Sequence, residues 1–178
     1  MTTVLVPLAQ ECEELEAVTI IDLLRRAEIK VISASLDDKP ITASRGVVLI
    51  ADMSLNEAAK ESIDMIVLPG GLPGANYLND DNRIHDLIKK TKYVAAICAS
   101  PKVLANARLL DNKQATAYPG VLSNQDHPKV LIQDIAVAVD GNIITSRGPG
   151  TAIDFTLKLI EILTDEATKT RVEDSLKR

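Results

Sequence analysis

The stretch YVAAICASPKVLANA, from Tyr93 to Ala107, changes its hydrophobic period in the middle, and that change decides how the chain is read. Tyr93 to Ile97 is a short continuous apolar run, the pattern of a buried strand. Val103, Leu104 and Ala107 then fall at helical spacing, after Ser100 and Pro101 supply helix-start chemistry. Cys98 therefore stands on a tight strand-to-helix turn at the edge of a sheet. Unpaired backbone N–H groups and the positive end of a helix dipole favour thiolate at such a place. The dipole is worth roughly 0.3 to 2 kcal/mol, so a thiol starting near ~8.5 reaches only about 7 without a further partner. The competing expectation is that Cys98 packs as a small hydrophobe, as free cysteines commonly do.

The same alternation runs outward in both directions. Val4 to Leu8 reads as a strand and Glu13 to Ala27 as an amphipathic helix with Leu15, Val18, Ile21 and Leu24 along one stripe. Lys30 to Ser35 is a second strand, and Ile41 to Ile50 holds two short ones around Ser44, Arg45 and Gly46. Ser54 with Glu57 fits a capping box that opens a short helix. Met65 to Leu68 is another buried strand, ended by PGGLPG from Pro69 to Gly74, and a helix centred on Ile84, Leu87 and Ile88 precedes the cysteine strand. Beyond it come a strand through Ala115 to Ala117, a hairpin of Asp134 to Val139 with Ile143 to Ser146 around Asp140 and Gly141, and RGPG from Arg147 to Gly150. A helix from Thr151 to Leu163 and a charged amphipathic helix finish the chain.

Strands alternating with helices imply an α/β fold: a mostly parallel sheet covered on both faces, with one hairpin added. Chemistry in such folds gathers at the carboxyl ends of the strands. Glu11 to Glu16, Gly70 to Gly74, Cys98 and Arg147 to Gly150 all follow strands, so four separate segments converge on one edge.

Composition narrows the partners. The 178 residues are enough for one domain, 1–178, to bury a core without disulfide staples. Aromatic residues are 2%, namely Phe155, Tyr77, Tyr93 and Tyr118, so base-stacking platforms are lacking. A net charge of -5 and the absence of any basic block argue against nucleic acid as a partner. No apolar run approaches the ~18 residues of a membrane span, so no membrane partner is expected. Two cysteines, Cys12 and Cys98, with no signal-peptide pattern at the start, lead to the expectation of a reducing, cytoplasmic location.

The glycines of PGGLPG free the backbone to turn and present N–H groups, as an oxyanion site requires. They do not make a phosphate loop, since no Lys-Ser/Thr follows and the G-x-G-x-x-G spacing is missing. With EELEAV (Glu13 to Val18), ITASRG (Ile41 to Gly46), VLPGGLPGA (Val67 to Ala75), AAICASP (Ala95 to Pro101) and TSRGPGTAIDF (Thr145 to Phe155), the chain resembles the ThiJ/PfpI superfamily. Within it the resemblance is to the Parkinson-disease-linked protein deglycase family. It implies a flavodoxin-like three-layer sandwich of the class I glutamine amidotransferase-like kind, homodimeric and free of cofactor or metal. It also implies that Cys98 is the nucleophile, that Glu16 hydrogen-bonds it, and that the N–H groups at Gly71 and Ala99 form an oxyanion hole beside Gly70. Arg45 and Arg147 match arginines near the family's pocket or dimer seam. Activities reported for the family are glyoxalase action on small dicarbonyls, deglycase action on glycated protein, and chaperone or redox-sensor roles.

One departure stands out. Many relatives carry a histidine before a proline on the strand after the cysteine helix, where this chain has Tyr118 before Pro119. A phenol with a pKa near ~10 is a poor general base at neutral pH, though it can donate a hydrogen bond, and the amidase or peptidase reading weakens accordingly. His85 and His127 sit in polar surroundings and are expected at the surface, while Cys12 reads as a plain loop thiol. Glu16 and Cys98 must titrate together: an ionised Glu16 raises the thiol pKa, and a protonated one can donate to the thiolate. The first expectation is thus a Cys98/Glu16 enzyme acting on dicarbonyls or early glycation adducts, and the second a redox-responsive chaperone in which Cys98 is oxidised without turnover.

Overall fold

Successive residues of a strand point to opposite faces of its sheet, so a strand that is apolar throughout needs cover on both sides. The computed structural model, which describes residues 2–178, supplies that cover. Its elements in order are β1 (Thr3–Leu8), α1 (Glu14–Arg26), β2 (Lys30–Ser35), β3 (Ile41–Thr42), β4 (Val48–Leu49), β5 (Met53–Ser54), α2 (Leu55–Ala58) and β6 (Met65–Leu68). There follow α3 (Gly74–Asp80), α4 (Asn82–Lys90), β7 (Tyr93–Ile97), α5 (Pro101–Asn106), β8 (Gln114–Ala115), β9 (Leu131–Ile132), β10 (Val137–Asp140), β11 (Ile143–Ser146), α6 (Ala152–Leu163) and α7 (Glu166–Leu176).

The main sheet has seven strands in the order β10-β11-β7-β6-β1-β2-β5, parallel throughout except for β10, which pairs antiparallel with β11. Val4, Val6 and Leu8 of β1, Met65 and Val67 of β6, and Ala95 and Ile97 of β7 pack one face against Ile20 and Leu24 of α1 and Phe155 and Leu159 of α6. The intervening Leu5, Ile66, Leu68, Val94 and Ala96 pack the other face against Leu55, Leu78, Ile84, Leu87 and Leu104 of α2 to α5. The result is the mostly parallel, flavodoxin-like α/β sandwich. No helix among the described residues is long and apolar enough to cross a membrane.

Several local expectations are corrected. On α1 the buried stripe is Ala17, Ile20, Leu23 and Leu24, while Leu15 and Val18 face outward, about half exposed. Apolar spacing alone misplaces the buried face because Glu14 and Glu16 lie inward. The hairpin turn falls one residue later than its Asp-Gly signal: Asp140 pairs with Ile143, leaving Gly141 and Asn142 to turn. Asp140 is held in the strand by accepting from the Gln114 N–H at 2.9 Å and from Lys113 Nζ at 3.2 Å. The strand placed through Ala117 stops at Ala115, and β5, α3 and β9 are additional elements. The Ser54 and Glu57 capping box is present, with Ser54 Oγ accepting from the Glu57 N–H at 3.2 Å and Glu57 Oε2 accepting from the Ser54 N–H at 3.1 Å.

Candidate active site

The carboxyl ends of β1, β6, β7 and β11 lie side by side, which brings Glu11 to Glu16, Gly70 to Gly74, Cys98 and Arg147 to Gly150 to one edge. The chain leaves β1 toward β2 on one side and returns as β6 on the other, so a crevice opens between the ends of β1 and β6, where such folds place their ligands. Cys98 closes this crevice from the adjoining β7.

Cys98 has φ 63, in the left-handed region that costs a non-glycine residue roughly 1–3 kcal/mol. The surroundings fix it there. Its N–H donates to the Ser146 carbonyl at 2.9 Å, and its own carbonyl accepts from the Tyr118 N–H at 2.9 Å. Ser100 does not cap α5 as expected; its hydroxyl donates instead to the Pro69 carbonyl, stapling the cysteine turn to the glycine loop, while Pro101 does open the helix.

The glycine loop is shaped by close approach. A Cβ on Gly70 would lie 2.6 Å from Cys98 Cβ and 2.7 Å from Glu16 Oε2, so only glycine fits between those two side chains. Gly71 has φ 94, and a Cβ there would lie 2.5 Å from the Glu13 nitrogen. The backbone N–H groups of Gly71 and Ala99 lie close enough to the Cys98 sulfur to favour its thiolate form. They are the two groups that the family resemblance names for an oxyanion hole.

Glu16 projects from the first turn of α1 and is 0% exposed. Its Oε2 accepts from the Gly70 N–H at 2.8 Å, and Oε1 is buried without a hydrogen-bond partner. Burial pushes its carboxyl up to about 7, against the opposing donation from Gly70 and Cys98. Burial likewise pushes the Cys98 thiol up to about 12, with the negative charge of Glu16 adding to the rise and the Gly71 and Ala99 N–H groups opposing it. The thiolate bias expected from the helix start is therefore outweighed. The geometry instead couples two acids that resist ionising together, so the pair carries one proton between about pH 7 and 12 and two protons below.

Above the sulfur lies a cleft of about 290 Å³. Glu13, Ser44 and Arg45 form its polar wall, and Leu72, Tyr118, Val121 and Pro149 its apolar one. Ser44 Oγ lies 3.0 Å from both Glu13 Oε2 and Glu14 Oε2, and the Arg45 N–H donates to Glu14 Oε1 at 2.9 Å, so the loop carrying Arg45 is tied to α1. Burial opposes ionisation of Glu14, but its own N–H, the Ser44 hydroxyl and the N–H groups of Arg45 and Val47 together hold the carboxyl below the ordinary range. Arg147 is not in this cleft. It lies on the far side of Tyr118, its Nη1 donating to Asp134 Oδ1 at 2.9 Å.

Cys12 is on a loop as expected but fully buried, and burial followed by the charge of Glu14 raises its thiol to about 12. His85 Nε2 pairs with the Asn79 carbonyl at 2.7 Å and His127 Nε2 lies 3.4 Å from Asn106 Oδ1; neither lines the cleft. Among the described residues no group of three or more His, Cys, Asp or Glu side chains is placed to hold a metal ion. Leu72, Val121, Pro149 and Glu13 were not singled out from the sequence as pocket residues. An apolar Leu72 inside a glycine turn was the available signal.

Known proteins share this fold. The chain is 40% identical over 178 residues to protein dj-1beta of Drosophila melanogaster, covering 97% of this chain and 94% of that one. The crystal structure of the same fly protein superposes with a TM-score of 0.93, at 38% identity and over 98% and 97% of the two chains. Protein DJ-1 homolog B of Arabidopsis thaliana is 45% identical over 167 residues, 89% of this chain, which spans only 37% of that longer protein. Glutathione-independent glyoxalase DJR-1.2 of Caenorhabditis elegans is 30% identical over 158 residues, 86% of this chain and 84% of that one. The DJ-1/PfpI family model matches residues 2–162, and the chain belongs to that family.

Proposed function

We propose that the protein is a cofactor-free glyoxalase, with deglycase action on early glycation adducts as the same chemistry on a larger substrate. The observation that carries this reading is the coupled pair: a sulfur under two N–H donors, set against a fully buried carboxyl that burial has lifted to about 7. The naming of the Caenorhabditis elegans relative as a glutathione-independent glyoxalase supports it.

In this mechanism the Cys98 sulfur adds to the aldehyde carbon of an α-oxoaldehyde while its proton passes to Glu16. The resulting oxyanion lies against the Gly71 and Ala99 N–H groups and takes up the proton, giving a hemithioacetal. Glu16, again ionised, removes the hydrogen from that carbon and returns it to the neighbouring one while the hydroxyl proton passes to the neighbouring carbonyl oxygen, converting the hemithioacetal into a thioester. Water then releases the 2-hydroxy acid and restores the thiol, so one dicarbonyl and one water give one hydroxy acid, with no external oxidant or reductant. Tyr118 serves as wall or hydrogen-bond donor, and no step requires a histidine.

The proposed assembly is a homodimer. Leu15 and Val18 on α1 and Val47, Val48 and Ile50 on and beside β4 are exposed, and Ser44 and Arg45 tie the two elements together. Such apolar exposure is what an interface covers. The test of function is lactate formed from methylglyoxal by purified protein: turnover that vanishes in Cys98→Ser supports the enzyme. Oxidation of Cys98 by peroxide with no lactate formed supports the second reading, a redox sensor whose oxidised sulfur meets the unpartnered Glu16 Oε1.

A further inference from the structure

The cleft over Cys98 is larger than the smallest dicarbonyls need. A three-carbon α-oxoaldehyde fills on the order of 100 Å³, a few water volumes, against about 290 Å³ in the cleft. The surplus space is not polar throughout. Leu72 is 59% exposed and Tyr118 52%, and both line the cleft together with Val121 and Pro149.

Both exposed side chains are tethered to the reacting atoms. Leu72 directly follows Gly71, whose N–H faces the sulfur. The Tyr118 N–H donates to the Cys98 carbonyl. The Tyr118 ring is also backed by main chain, since a Cβ on Gly148 would lie 3.2 Å from its Cδ2. The ring therefore lies against the Gly148 backbone at the wall of the cleft that holds the sulfur. An aldehyde oxygen held between the Gly71 and Ala99 N–H groups places the rest of the substrate in the cleft, between the polar wall of Glu13, Ser44 and Arg45 and the apolar one.

We infer that Tyr118 and Leu72 form a specificity subsite for the group beyond the dicarbonyl, and that the preferred substrates are α-oxoaldehydes carrying an aromatic or bulky apolar group. The inference rests on the glyoxalase reading and deepens it. It assigns a positive role to the tyrosine that stands where many relatives have histidine: an aromatic face beside the sulfur, which a bulky apolar substituent covers and a methyl group does not. Burying several additional carbons against such walls changes selectivity by about ten- to two-hundredfold.

The test compares kcat/KM for phenylglyoxal and methylglyoxal. The subsite predicts a ratio of about ten or more in favour of phenylglyoxal, falling at least about threefold in Tyr118→Ala and in Leu72→Ala, with the loss carried mainly by KM for the aryl substrate. A binding arm uses the Cys98→Ser protein with the two product acids, where mandelate should bind about tenfold tighter than lactate and lose that advantage on adding Tyr118→Ala. If neither dicarbonyl turns over, the glyoxalase reading fails, and the binding arm alone decides the subsite. A phenylglyoxal to methylglyoxal ratio near one, or one that neither substitution moves, overturns the inference. So does equal binding of mandelate and lactate. Circular dichroism of each variant excludes unfolding as the cause.

Discussion

Cys98 and Glu16 are best understood as one acid with two sites. Burial raises both, and each charge opposes the other, so the state with one proton on the pair opens only as pH rises through about 7. The expected pH profile of kcat/KM therefore has an acid limb near pH 7, and Glu16→Gln should abolish the limb along with most of the activity. The same substitution removes the negative charge that lifts the thiol, so the inflection of Cys98 alkylation should move to lower pH, as iodoacetamide rates against pH will show. An unmoved inflection would reduce Glu16 to a helix-start charge. Gly70 offers a separate check. Gly70→Ala forces a methyl group into 2.6 Å contact with Cys98 Cβ and should cost about 1–3 kcal/mol and most of the turnover, whereas Gly150→Ala, with nothing within 4 Å, should cost under about 0.5 kcal/mol in thermal unfolding.

Elements were legible where one physical signal dominated. Met65 to Leu68 and Tyr93 to Ile97 match the structure to the residue because a buried parallel strand is a near-continuous apolar run, and Lys30 to Ser35 matches too although Lys30, Ser33 and Ser35 interrupt its apolar residues. On α1 two signals conflicted. Apolar spacing favoured the face with Leu15 and Val18, but the fold turns Glu14 and Glu16 inward for hydrogen bonds that a reading of periodicity cannot see. Stability will separate the faces: Ile20→Ala should cost about 2–5 kcal/mol and Val18→Ala less than about 0.5 in the monomer, measured by urea unfolding at low concentration. Comparable losses at both positions would mean that Val18 is covered by an interface even under those conditions. The site was legible in its segments, since each follows a strand, whereas the grouping of Cys98 with Gly71, Ala99 and Glu16 came from the family resemblance alone. The proton balance was not legible, because it depends on burial, which opposes the local pull of the helix start.

For the whole molecule, the buried carboxyl links function to stability. Glu16 titrates near 4.5 when unfolded and about 7 when folded, so between those values the native state holds the extra proton. Its contribution is fully present below pH 4.5 and is lost as pH rises through 7, a slope that Glu16→Gln should remove from the unfolding free energy over that interval. Carboxylates held below their ordinary range, such as Glu14, Asp52 and Asp81, act in the opposite sense and lose their contribution at more acid pH. The proposed dimer is a claim at this scale too: sedimentation at micromolar concentration should give twice the chain mass, and Val48→Glu should shift it toward monomer. The central claim, that the Cys98 and Glu16 pair isomerises dicarbonyls, is tested most directly by enzymatic assay of lactate from methylglyoxal across pH 5 to 9, with the wild-type, Cys98→Ser and Glu16→Gln proteins side by side. The paired mechanism predicts lactate from the wild type with an acid limb near pH 7, none from Cys98→Ser, and a loss of about a hundredfold or more with no limb in Glu16→Gln. Wild-type rates from Glu16→Gln with the same pH limb would contradict it.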